Sequence, residues 1–268
     1  MKPKITIIIS YYKALTNLQL ILQALQNQSF MDFEVILSED DANDETKKFL
    51  SENKSKYSFE ISHTFQKLDQ GFRKNEMLNK SIQTSRTDKL VFIDGDCIPH
   101  RHFAKNYVNQ IIPGYICEGR AVMLGPKFTQ NILQSLTIND LSSCSLFWSD
   151  SNKLKDGIYF PYFPLSFKPV KGLVGRNWAV CKQDLLAVNG FDMDYIYAGV
   201  GEDVDIEWRL KASGLKSKSM KNKAIVYHLY HPKSYSEDKV QKNYELCNSK
   251  QKENHVKCLK GLQQLVID

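Results

Sequence analysis

The chain has 268 residues, 42% of them hydrophobic and 25% charged, which is the balance of an ordinary folded protein and excludes a disordered one. Its formal net charge of +6 is modest and calls for no nucleic-acid partner. The longest apolar runs are of strand length, well short of the roughly 20 residues of a membrane span, and no long apolar segment with a cleavage site opens the chain, so a cytoplasmic protein is expected.

Ile5 to Ile9 is a continuous β-rich run of the kind covered on both faces of a sheet. Leu15, Leu18, Ile21, Leu22 and Leu25 follow at helical spacing, and Phe33 to Leu37 reads as a second strand. A helix from about Asp44, a weaker strand over Phe59 to Phe65, a helix over Glu76 to Ile82 and a strand from Leu90 to Asp94 continue the alternation. Such alternation predicts an α/β protein with a Rossmann-like, mostly parallel central sheet flanked by helices. Ligands of open α/β sheets bind beyond the carboxyl ends of the strands. Those ends carry Ser10-Tyr11-Tyr12, Ser38-Glu39-Asp40-Asp41 and Asp94-Gly95-Asp96, so acidic and polar groups converge on one rim. Neither a Gly-x-Gly-x-x-Gly nor a P-loop follows the first strand, which argues against a dinucleotide dehydrogenase.

Asp-Gly is a common turn pair in its own right. Two carboxylates across a glycine also suit a hard cation such as Mg²⁺ or Mn²⁺, with positions left open for phosphate oxygens. In the second half, Tyr115 to Leu124 reads as one strand, Ile132 to Trp148 as a helix with its connections, and 157–169 as an aromatic, proline-containing loop. Gly172 to Cys181 reads as a strand through Trp178, and a short helix covers Asp184 to Val188. Glu202, Asp203 and Asp205 then open a helix behind Gly199 and Gly201. Carboxylates favour a helix N-terminus in any protein, but the glycines let this one approach a ligand closely, where a carboxylate can act as a base. Ala224 to Tyr227 reads as a strand ending at His228 and His231, whose imidazoles suit a transition metal.

Six cysteines without a Cys-x-x-Cys pair are expected as reduced, mostly buried thiols. Lysines crowd 211–223 and 239–260, a face able to meet phosphates or, peripherally, an anionic membrane. The segment from 234 to 268 is expected to be a basic helical tail.

Three segments together resemble the inverting family 2 glycosyltransferases of the GT-A fold, with a galactosyltransferase-like C-terminal part. They are 5–12 with Phe33 to Asp40; Asp69-Gln70-Gly71-Phe72-Arg73-Lys74-Asn75 leading to Asp94-Gly95-Asp96; and Gly175-Arg176-Asn177 through Gly201-Glu202-Asp203 to His228. The resemblance implies a nucleotide-sugar half over 1–114 and an acceptor half over 115–233 of the same domain. It implies a nucleoside diphosphate-sugar donor, UDP-linked above all, held by Ser10, Tyr12, Glu39, Asp40, Arg73, Asp94, Gly95 and Asp96, with Asp40 on the base. It implies Mn²⁺ or Mg²⁺ on Asp96, Asp94 and His228, and a glycan or glycolipid acceptor on Arg176, Asn177, Trp178 and Glu202. Asp203 is then the catalytic base beside Glu202, in bacterial surface polysaccharide or lipopolysaccharide synthesis. Val200 stands where relatives often carry a tryptophan, which leaves the acceptor open. A sugar nucleotidyltransferase and a non-catalytic carbohydrate-binding protein on the same fold remain the alternatives.

Overall fold

The computed structural model describes residues 2–162, 172–199, 201–232 and 236–265. Val200, the end of the aromatic loop with Phe163, and tail positions 234–235 and 266–268 lie outside the described residues. The strands are β1 (Ile5–Tyr11), β2 (Phe33–Glu39), β3 (Glu60–Phe65), β4 (Lys89–Asp94), β5 (Cys97–Pro99), β6 (Tyr115–Glu118), β7 (Arg120–Met123), β8 (Asn177–Cys181), β9 (Lys216–Ser219) and β10 (Ile225–His228). The helices are α1 (Leu15–Gln26), α2 (Asp44–Asn53), α3 (Lys74–Thr84), α4 (Phe103–Gln110), α5 (Pro126–Ser135), α6 (Ser143–Phe147), α7 (Lys182–Ala187), α8 (Glu202–Ala212) and α9 (Glu237–Lys252).

Among the described residues, one sheet runs β3-β2-β1-β4-β8-β6-β9 and a smaller one runs β5-β10-β7. The first four strands of the large sheet are parallel, as the alternation predicts, and β8 enters antiparallel to both β4 and β6. The period of two along a strand divides the core. Ile5, Ile7 and Ile9 face α1 and α4, while Ile8 turns to the side packed by Leu78 and Ile82 of α3 and Ile206 and Leu210 of α8. In register, Ser10 lies opposite Ser38 on one side and Asp94 on the other, so the expected strand ends do meet at one rim.

The stretch from Tyr115 to Leu124 is not one strand. It breaks at Gly119, with β6 in the large sheet and β7 in the small one. A Cβ at Gly119 would stand 2.2 Å from Asn177 side-chain atoms, so only glycine lets the chain pass there. Asn177 joins the two sheets. Its Oδ1 accepts from the Tyr107 hydroxyl at 2.6 Å, and its Nδ2 donates to the carbonyls of Arg120 at 2.9 Å and Ala224 at 3.1 Å. The helix expected from Ile132 is likewise two: α5 starts at Pro126, a residue whose missing N–H costs nothing in a first turn, and α6 is a separate short turn. The strand expected from Gly172 begins only at Asn177.

Asn177→Ala strands the buried Tyr107 hydroxyl and removes the side-chain bonds to the Arg120 and Ala224 carbonyls, the second of which still accepts from the Arg120 amide at 3.0 Å; an orphaned buried group costs about 1–3 kcal/mol. Thermal unfolding of that variant is expected several degrees below the parent; coincident curves would show that the two sheets are joined by other means.

Candidate active site

The cleft at the rim is lined by Ser10, Asp94, Lys74, Gly175, Glu202 and Asp203, above the rings of Phe92, Trp178 and Phe191. Lys74 opens α3, and its ammonium lies 3.1 Å from Asp94 Oδ1 and 3.5 Å from Glu202 Oε1. Burial alone would lower the Lys74 pKa, but the surrounding charges of Asp94, Glu202 and Asp203 outweigh it and hold the ammonium protonated. Glu202 is buried and its pKa is raised by that burial, against the pull of Lys74. Its Oε2 has no hydrogen-bond partner among the described residues. Asp203 is held from both sides: the Val204 amide donates to Oδ1 at 2.9 Å and the Gly175 amide to Oδ2 at 3.4 Å.

Gly95 carries the chain from β4 across the end of β1. A Cβ there would come within 2.9 Å of the Ser10 carbonyl oxygen and 3.3 Å of Tyr11 Cα, so the crossing requires a glycine. Beyond it the chain enters the small sheet, where Cys97 pairs in register with His228 and the Leu229 amide donates to the Asp96 carbonyl at 2.9 Å. This brings Asp96 Oδ2 to 3.4 Å from His228 Nε2 and 3.1 Å from His231 Nε2. One ligand atom from each of the three lies within 4.8 Å of the others.

The donor set fits a divalent ion. Burial would raise Asp96, but the hydrogen bond from His231 and the nearby His228 hold it below the usual carboxylate range. His228 is pushed below its ordinary value by burial, leaving a neutral imidazole ready to ligate. The neighbouring Cys97 thiol is pushed well up by burial and stays protonated, so it offers no thiolate. A carboxylate with two imidazoles suits Mn²⁺ better than Mg²⁺, which prefers oxygen ligands throughout.

Residues 6–136 match the family model described as glycosyl transferase family 2, and residues 165–232 match that of the N-terminal domain of galactosyltransferase. Over residues 6–136 the chain is thus similar to the family 2 glycosyl transferases. No curated protein matches it. Among solved structures it is similar to the mannosyltransferase PcManGT from Pyrobaculum calidifontis in complex with GDP-Man and Mn²⁺, at 14% identity and a TM-score of 0.58 over 95% of this chain and 63% of that one. It is similar to GalNAc-T7 with UDP, GalNAc and Mn²⁺, at 13% identity and 0.67 over 92% of this chain and 48% of that one. It is also similar to S. aureus TarS, at 14% identity and 0.60 over 92% of this chain and 39% of that one. Likeness at such identities establishes the GT-A fold, and this chain spans less than two thirds of each of those three.

The other expected site residues divide. Asp94, expected beside the ion, faces Lys74, while His231 takes the third place in the cluster. Tyr12 is exposed at the rim beneath the Lys13 ammonium. Asp40 accepts from the Arg73 amide at 2.9 and 3.1 Å and from Gln66 Nε2 at 2.7 Å, which ties the 66–73 loop to the end of β2. Burial pushes its carboxyl up to about 6 in spite of those bonds. The Arg73 guanidinium turns back to the Phe72 carbonyl.

Glu39 does not reach the rim. It is fully buried because β2 is covered on both faces, and its Oε2 meets His63 Nε2 at 2.7 Å. Asn177 and Trp178 are also interior. The first is engaged between the sheets, and the second, 1% exposed, stacks on Phe92 with ring centroids 4.6 Å apart. Arg176 leans toward the cluster, its Nη1 3.2 Å from Met123 Sδ and its charge bearing on His228. Lys74 as the centre of the carboxylates and Gly175 as a partner of Asp203 were missed in the sequence. Only the position of Lys74 directly after Gly71-Phe72-Arg73 hinted at a buried cation.

In the purified protein, Mn²⁺ binding followed by calorimetry is expected to disappear in Asp96→Ala. In His228→Ala and His231→Ala it should weaken beyond the roughly 10–10²-fold that partners of metal ligands are worth. Undiminished binding in either histidine variant would remove that residue from the ligand set.

Proposed function

We propose that the protein transfers a sugar from a nucleoside diphosphate-sugar, UDP-linked, to a hydroxyl of a glycan or glycolipid acceptor, with inversion at the anomeric carbon. The observation that carries this reading is the junction of two poles through Gly95. The ligand cluster of Asp96, His228 and His231 stands on one side, and the carboxylates of Asp94, Glu202 and Asp203 around Lys74 stand on the other. A divalent ion on the cluster would neutralise the charge that builds on a departing diphosphate.

The remaining roles belong to the chain. Asp203, its carboxylate oriented by the amides of Val204 and Gly175, takes the proton of the acceptor hydroxyl as that oxygen bonds the anomeric carbon and the bond to the diphosphate breaks. Inversion follows from a single displacement, and no side chain has to carry the sugar. Glu202 lines the same cleft, and its carboxylate, whose buried Oε2 has no partner among the described residues, orients a second hydroxyl. Lys74 keeps three carboxylates together before the donor arrives. The rings of Phe92, Trp178 and Phe191 form a dry floor that strengthens each of these contacts.

A panel of nucleotide sugars with Mn²⁺ and glycan acceptors, followed by nucleoside diphosphate release, tests this reading. Release is expected with one donor class, and Asp203→Asn should cut kcat by roughly 10²–10⁴ with donor binding retained. Near-normal turnover in that variant would remove Asp203 from the chemistry, and binding without release would favour a non-catalytic protein.

A further inference from the structure

Residues 236–265 lie beyond both family matches, which end at 136 and 232, so neither match says what this segment does. A helix that merely covers a core presents apolar residues to it. The buried residues of α9 are Asn243, Cys247 and Lys250. Burying an amide and an ammonium is unfavourable unless each finds a partner, and both find theirs on the loop that leads to the catalytic carboxylates. Lys250 Nζ lies 2.6 Å from Asp192 Oδ2 and 2.6 Å from Asp194 Oδ2. Asn243, 1% exposed, donates to the Tyr197 carbonyl at 3.0 Å.

The contact closes on Gly201, the residue directly before Glu202. Its φ of +144° is one that side chains rarely adopt, and a Cβ there would stand 2.7 Å from Asn243 Cβ and 3.2 Å from Tyr195 Cδ1. Tyr195 donates to Asp205 Oδ1 at 3.2 Å, and Asp205 pairs with Arg209 at 2.7 Å inside α8. The opposite side of the loop is held by α3. Asn75 donates to the Asp192 carbonyl at 2.7 Å, and Asn79 exchanges two 2.8 Å bonds with the main chain of Phe191. The loop is thus gripped between the helix that carries Lys74 and the C-terminal helix.

We propose that α9 belongs to the catalytic apparatus, with Asn243 as a positioning residue that fixes Gly201 and the first turn of α8, and through them the carboxylate of Asp203. This rests on the reading of Asp203 as the base. A general base displaced by about 1 Å can lose up to about 10² in rate, so a contact this close to the first turn of α8 bears directly on turnover.

Asn243→Leu keeps nearly the same shape and removes the donated hydrogen bond. In the full chain it is expected to speed amide hydrogen exchange over 197–203 while leaving α3 protected, and to lower kcat roughly 10–10²-fold with donor KM unchanged. In an Asp203→Asn background the same substitution should lower kcat no further, because it acts through that carboxylate. Unchanged exchange, or an equal fall of kcat in both backgrounds, would overturn the proposal. An Asp203→Asn variant with full turnover would instead overturn the reading beneath it, while the exchange experiment would still report on the grip itself. Should the leucine variant not fold, Asn243→Ala, which adds no bulk against Gly201, runs through the same comparison.

Discussion

Like charges do not stay together in a partly buried cleft unless something of opposite sign stands among them. Asp94 comes from the end of a central strand, and Glu202 and Asp203 from a helix far along the chain. The Lys74 ammonium is the group that lets α8 dock against the sheet with its acidic first turn pointing inward. The macrodipole of α8 helps, since its N-terminus favours negative charge, but it acts on Glu202 and Asp203 and not on Asp94. Remove the cation, and the shortest route to relief is to move the helix outward, which opens the cleft and displaces Asp203.

A second constraint is geometric. Asp94-Gly95-Asp96 spans the gap between two sheets, so its two carboxylates serve different partners although one residue separates them. The relative placement of those sheets therefore sets the distance between the ligand cluster and the cleft. Asn177 is the tie between them, and Gly119 is the vacancy of a side chain that lets the tie close. A residue expected to meet the acceptor instead holds the frame on which both poles stand.

The first half of the fold was legible because its signals are local. Ile5 to Ile9, the leucines of α1 and the run ending at Asp94 each declare their period within a dozen residues, and the helices that cross over between the strands make them parallel neighbours. The second half hides its breaks. Tyr115 to Leu124 reads as one strand since nothing near Gly119 in sequence shows that Asn177 will occupy its space. Glu39 reads as a rim residue because a strand end looks the same whether or not the opposite face is covered. Residue types also suggested Asp96, His228 and Asp203 as candidates, whereas Lys74, Gly175 and Asn243 stand out only through contacts made across the chain, which periodicity cannot express.

The close fit of Gly201 against Asn243 has a consequence for recombination between relatives. The two family segments end before α9, so a graft drawn along those boundaries would move the acidic turn from one parent and keep the helix behind it from another. A larger residue at 201 would meet Asn243, and a smaller one at 243 would leave a void behind the turn. The unit to be exchanged therefore runs from Gly175 through the end of α9, longer than the segment that similarity alone marks out, and it still needs Lys74, Asn75 and Asn79 of α3 to meet it.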